Sequence, residues 1–186
     1  MSRLRLWPSR RPAPKPPAGD KPVLGVDVDG VIALFGFDEP PQLPGARFEL
    51  VDGMLHFISF AAGERLLRLA EVFDPVWVTG WERGIHRIED LLDLPGWPYL
   101  TFGGAARFGS ADWKLKPLGE YASGRPVAWI DDSLDELCYR WATEREEPTL
   151  LVETNSERGL EDVHVDALLG WARSLEADSA PAGDGA

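Results

Sequence analysis

The chain of 186 residues has one cysteine, three histidines and 19 basic residues against 31 acids. A lone thiol, Cys138, excludes a disulfide framework, and in the helix predicted around it a packing role is plainer than a reactive one. His56, His86 and His164 are too dispersed to suggest a zinc cluster. No apolar run approaches the roughly 20 residues that span a bilayer, so no membrane partner is expected. The N-terminus opens with charges and lacks the apolar stretch of a signal peptide, which makes a cytoplasmic setting the expectation. No G-x-G-x-x-G follows a predicted strand, so the dinucleotide-binding fingerprint is missing, and no internal repeat is visible.

The shortage of positive charge gives a net −12, unevenly spread. Residues 1–22 hold Arg3, Arg5, Arg10, Arg11, Lys15 and Lys21 against Asp20, a balance of +5, which leaves −17 on the remainder (−12 less +5). Such an acidic body repels nucleic-acid backbones at long range, an effect the basic arm offsets only in part. Residues 1–20 are rich in Pro and Arg and read as a disordered tail. Residues 21–176 then form one domain, and 177–186 a flexible C-terminal tail.

What is present begins with Val23-Leu-Gly-Val-Asp-Val-Asp-Gly-Val31. A Val/Leu run stopping at glycine reads as a buried strand ending in a sharp turn. Side chains alternate along a strand, so Asp27 and Asp29 leave one face about 7 Å apart. Arg47 to Val51 and Met54 to Ser59 flank Asp52-Gly53, a two-residue hairpin signal. Residues 61–72 read as a helix with Leu66, Leu67, Leu69 and Ala70 inward, and residues 85–92 as a second helix. Further strands are expected at 76–79, more weakly at 99–102, then at 127–130 and 149–152. Further helices are expected from Pro117 to about Ala122, over 133–146 with Leu134, Leu137, Cys138 and Trp141 inward, and over 163–175.

Alternating strands and helices, with strands apolar on both faces, predict an α/β fold whose parallel sheet of about five strands is covered on both sides. Ligands bind such sheets at the carboxyl ends of the strands. Those ends carry Asp27 and Asp29, Thr79, and Asp131 and Asp132. Taken singly, the first pair suits a turn, Thr79 a structural hydroxyl, the last pair a helix N-cap and Lys114 a surface charge. Gathered at one edge, the acids would repel: two unit charges about 4 Å apart cost about 4 kcal/mol at an effective dielectric of roughly 20. The group therefore implies a divalent cation, and carboxylates without His or Cys select a hard ion, most commonly Mg²⁺ when phosphates are involved.

The order Asp-x-Asp-Gly-Val, apolar-Thr-Gly, Lys, apolar-Asp-Asp resembles the four motifs of the haloacid dehalogenase (HAD) superfamily over about Val23 to Leu175. More narrowly, Val-Trp-Val-Thr-Gly-Trp-Glu, Trp-Lys-Leu, Pro-Val-Ala-Trp-Ile-Asp-Asp and Pro-Thr-Leu-Leu-Val resemble the HAD group of "Swiss Army Knife" RNA repair proteins. The resemblance implies a three-layer Rossmannoid sheet with a hairpin flap after the first strand, and a Mg²⁺-dependent phosphomonoester hydrolase. It makes Asp27 the nucleophile, Asp29 the general acid and base, and Thr79 and Lys114 the phosphoryl-binding groups beside Gly30 and Gly80. It gives the metal to Asp27, Asp29 (through its carbonyl), Asp131 and Asp132. Lys116 and Asp135 stand as alternatives to Lys114 and Asp132. The gaps between motifs leave no room for a large cap, and an open site suits a large phosphorylated substrate such as an RNA or DNA end or a phosphoprotein. Trp81, Trp97 and Trp113 are candidates to stack on a base or, more plainly, to pack. The rival reading is a non-catalytic interaction domain on the same scaffold.

Overall fold

The computed structural model describes residues 19–107 and 109–179; the predicted N-terminal arm, apart from Gly19 and Asp20, and the tail from residue 180 lie outside them. In chain order the elements are β1 (Val23–Val26), β2 (Ala33–Leu34), β3 (Ala46–Val51), β4 (Met54–Ser59), α1 (Phe60–Ala70), β5 (Asp74–Trp77), α2 (His86–Leu92), α3 (Leu115–Ala122), β6 (Val127–Asp131), α4 (Glu136–Glu144), β7 (Thr149–Glu153) and α5 (Asp162–Ser179). Short 3₁₀ turns, Glu82–Ile85 and Asp112–Lys114, lead into α2 and α3.

Four strands make a parallel sheet in the order β5-β1-β6-β7. Alternate side chains of these strands serve opposite layers. Leu24, Val26, Ala128 and Ile130 pack with Ala62, Leu66 and Leu69 of α1 and with Val165 and Leu168 of α5. On the other face Val23, Val127 and Trp129 pack with Leu118 and Tyr121 of α3 and with Cys138 of α4. Each fully buried aliphatic side chain in these layers contributes about 1.5–3 kcal/mol. One of the five expected strands, the weaker one at 99–102, does not form. Residues 99–102 meet the sheet at a single bridge, Tyr99 to Trp77, because the chain enters it from Pro98 and leaves for the left-handed pair Gly103-Gly104.

β2, β4 and β3 form a separate antiparallel sheet between β1 and α1. Its turn at Asp52-Gly53 has φ of 48° and 83°, the double left-handed geometry that matches strand twist and favours this dipeptide. α1 starts where Ser59 Oγ accepts the Ala62 N–H at 3.2 Å, and buries Ala62, Leu66 and Leu69, whereas Leu67 faces outward. α4 starts at Glu136, later than expected, because Asp135 is its cap and accepts the Cys138 N–H at 3.0 Å; Leu137 is exposed. α5 runs to Ser179, past the predicted end at Leu175. No helix among the described residues is long and apolar enough to cross a membrane.

Candidate active site

Strand register assembles the site. Val26 lies opposite Trp77 on one side and Ile130 on the other, so one step further Asp27 emerges beside Val78 and Asp131. The ladder carries through: Asp27 N–H donates to the Ile130 carbonyl at 3.0 Å and Val78 N–H to that of Val26 at 2.8 Å. Because β1 has β5 and β6 on either side, the ends of three strands meet where the strand order reverses, the usual crevice for a ligand.

Lys114 enters from the 3₁₀ turn ahead of α3 and is only 3% exposed. Its ammonium donates to Asp27 Oδ2 at 2.6 Å and Asp131 Oδ2 at 2.7 Å. Lys116 instead reaches solvent, 3.5 Å from Glu120. Asp27, Asp131 and Asp132 offer carboxylate oxygens that all lie within 4.8 Å of one another, a group able to hold a metal ion. When all three are ionised, the single ammonium leaves two negative charges uncompensated. An oxygen-only donor set with excess negative charge fits a hard divalent cation. Asp135 is outside this group, its carboxylate taken by the Cys138 N–H and the Ser110 hydroxyl. The Asp29 carboxylate also stands outside it.

Asp29 accepts the Trp81 indole N–H at 2.9 Å. Burial, reinforced by the Asp27 charge, pushes its carboxyl up to about 6, and the Trp81 hydrogen bond works against that rise. Burial also raises Asp131, with Asp27 adding to it and Lys114 opposing. Asp132 is raised by burial while the Ser133 hydroxyl, 3.0 Å from its Oδ1, counters. Burial alone would lower the Lys114 ammonium, but the Asp27 and Asp131 carboxylates outweigh it and hold it above its ordinary value.

A carboxyl whose pKa rises on folding adds stability below its unfolded value and loses it as pH climbs through the folded value. For Asp29 that window runs from 3.8 to about 6. Without divalent cation, the wild type should therefore lose about 3 kcal/mol relative to Asp29→Asn between pH 4 and 8. Urea titrations across that range check this; a constant difference would refute it.

Gly30 follows Asp29 at φ 68°, and a Cβ there would collide with the Asp132 carboxylate, so only glycine fits. The Gly30 carbonyl accepts the Thr154 hydroxyl at 2.9 Å, and the Thr154 N–H donates to the Asp131 carbonyl at 3.1 Å. Ser133 N–H donates to Asp131 Oδ1 at 3.0 Å. Sequence reasoning missed Ser133 and Thr154; a small polar residue just after each acidic or apolar strand end was the available signal. A cleft of about 400 Å³ opens over Asp27, Asp29, Gly80, Trp81, Lys114 and Asp132. Thr79 is fully buried and does not line it, its Oγ1 lying 3.4 Å from the Trp81 N–H. Trp81 and Trp113 line the cleft with their N–H groups engaged by Asp29 and the Ser110 carbonyl, whereas Trp97 packs on Trp77 away from it. The hairpin covers Trp81 through His56, ring centres 5.0 Å apart; burial lowers the His56 pKa, and its buried Nε2 has no partner among the described residues. Set against known proteins, the chain matches no family model and no curated protein.

Proposed function

We propose that this protein is a HAD-like, Mg²⁺-dependent phosphomonoesterase that works through an aspartyl-phosphate. The observation that carries the reading is the Lys114 ammonium bridging Asp27 and Asp131 at 2.6 and 2.7 Å across two strand ends. A lysine so placed holds one carboxylate ionised and presents positive charge where a phosphoryl group would arrive. Asp27, Asp131, Asp132 and the Asp29 carbonyl would hold Mg²⁺, which when bound neutralises charge on the phosphoryl oxygens.

In the first step an Asp27 carboxylate oxygen bonds to phosphorus as the bond to the leaving oxygen breaks. Asp29 gives its proton to that oxygen, releasing an alcohol. In the second step the Asp29 carboxylate takes a proton from water, whose oxygen bonds to phosphorus and frees Asp27 with inorganic phosphate. Gly80, which lines the cleft, allows close backbone approach at the phosphoryl site, while buried Thr79 holds the Trp81 backbone N–H and Gly30 holds the turn after Asp29.

A carboxyl near 6 suits this double duty. Because the acid must be protonated for the first step, kcat/KM on alkyl phosphates should fall as pH rises through the Asp29 pKa, which burial raises and bound Mg²⁺ holds below its cation-free value. In Trp81→Phe, which removes the hydrogen bond that lowers Asp29, that limb should move to higher pH; a pH–rate profile unchanged by the substitution would refute the link. Asp29→Ala should slow alkyl phosphates about 10²-fold or more while aryl phosphates, with better leaving groups, lose less. Equal losses on both would count against the acid role.

Among the described residues the flap is built on one hairpin and no domain is inserted between β5 and β6, so the cleft is open to a large phosphorylated substrate. The narrower likeness to the RNA repair group makes a terminally phosphorylated RNA the first substrate to try, before DNA ends, nucleotides and phosphopeptides. Phosphate release from that panel, with Mg²⁺ or with EDTA, tests the reading. Release from none of them in Mg²⁺ would favour a non-catalytic interaction domain.

A further inference from the structure

The antiparallel sheet of the flap ends on β3, and no strand lies beyond it among the described residues. Exposed edges are templates for pairing, and proteins usually blunt them with proline, charged side chains or a bulge. β3 reads Ala-Arg-Phe-Glu-Leu-Val, with no proline or bulge, and its two charges, Arg47 and Glu49, are of opposite sign, so they do not repel a second copy of the strand. Phe48 is 47% exposed and Leu50 71%, and Leu55, opposite Leu50 on β4, is 64% exposed. Leu50, Leu55 and Phe48, whose ring rests on Phe57 with centres 5.0 Å apart, thus share one face of the hairpin and stay exposed on it.

The tight turn fixes which backbone groups are free. A two-residue hairpin of this kind makes Val51 and Met54 a hydrogen-bonded pair, and bonded pairs alternate along the ladder. Val51, Glu49 and Arg47 therefore turn their amides toward β4, and Leu50 and Phe48 turn theirs outward. Ala46 also turns outward, but its N–H is taken by the Leu43 carbonyl at 3.0 Å, which leaves its carbonyl.

The edge is self-complementary. In an antiparallel pair of identical strands centred on Phe48, Phe48 meets its own copy and Leu50 meets Ala46, so the outward amides fall at bonded positions. The same register sets Arg47 against Glu49 of the other copy, twice. Within one chain these two already attract, Arg47 Nε lying 2.6 Å from Glu49 Oε1, so pairing would extend each ion pair into a four-charge square. Any other centre on β3 loses that match.

We propose that β3 pairs with β3 of a second copy about a two-fold axis at Phe48, joining two flaps into one six-stranded antiparallel sheet. The interface is isologous, with Phe48 of one copy beside Phe48 of the other and Leu50 beside Ala46 on one face of it.

Sedimentation equilibrium of the full chain from about 1 to 100 µM tests this. The wild type should sediment at twice the chain mass. Arg47→Glu and Glu49→Arg each replace two attractive cross-strand pairs by two repulsive ones and should weaken association about tenfold or more. The double variant Arg47→Glu/Glu49→Arg should regain dimerisation, and the two single variants should pair with each other when mixed. A monomer throughout, or a dimer indifferent to these reversals, overturns the proposal. So does a monomer whose Phe48 and Leu50 amides resist hydrogen exchange, which would assign the edge to another segment of the same chain.

Discussion

Asp27→Asn should lower Mg²⁺-dependent phosphatase turnover about 10⁴-fold or more while leaving the fold intact. The amide is nearly the same size as the carboxylate and can still accept the Val28 N–H, which lies 2.7 Å from Asp27 Oδ1. It cannot attack phosphorus as a carboxylate does. Nor should the substitution unfold the protein, because it removes one of the charges crowded at the edge while Lys114 keeps Asp131 as a partner at 2.7 Å. The measurement is phosphate release with saturating Mg²⁺, alongside a thermal melt. A folded variant with undiminished activity would end the assignment of Asp27 as nucleophile. A variant that melts early would show instead that the carboxylate is structural.

Lys114→Met should destabilise the cation-free protein by about 3–5 kcal/mol, the usual cost of removing one partner from a buried ion pair. The methionine fills similar space, so packing is preserved and the loss is electrostatic. Asp27 is 5% exposed, at the floor of the cleft, and Asp131 is fully buried, so water compensates the first only in part and the second not at all. The sign of the metal effect separates this from a simple packing defect. Mg²⁺ should recover part of the lost stability in Lys114→Met and shift the wild type less, because in the variant it meets more uncompensated charge. Lys116→Met, at a side chain 85% exposed, should change neither melt nor turnover. Urea titrations with Mg²⁺ and with EDTA on both variants give the comparison, and equal stability of the two would refute a role for Lys114 at the centre of the site.

The strand ends were legible in the sequence because they combine two independent patterns. A run of Val and Leu marks a strand buried on both faces, and a glycine or acid cluster after it marks where it must stop. The hairpin was legible for a third reason, since Asp52-Gly53 suits the left-handed φ values of a tight turn. What stayed hidden depends on partners distant in the chain. Glu89 looks like a solvent-facing helix residue, yet it is buried and accepts from the Trp77 indole at 2.7 Å and the Trp97 N–H at 2.8 Å, with His86 Nδ1 at 2.8 Å. Trp81 was legible as an aromatic at the mouth but not as the hydrogen-bond donor to Asp29. Helix starts were ambiguous because Asp131, Asp132 and Asp135 are all competent caps. The structure uses Asp135, which frees the other two for the carboxylate group.

The Thr154 hydroxyl on the Gly30 carbonyl has a consequence during synthesis. The two residues are 124 positions apart, so at about 5–20 residues per second the ribosome delivers the second about 6–25 s after the first. Through that interval Asp27 and Asp29 exist without the strand that fixes the turn between Asp29 and Asp132. A chain stopped before β7 carries every carboxylate of the group and Lys114 but not the Thr154 contacts that shape them, so an unfinished product should be inert toward phosphate esters rather than partly active.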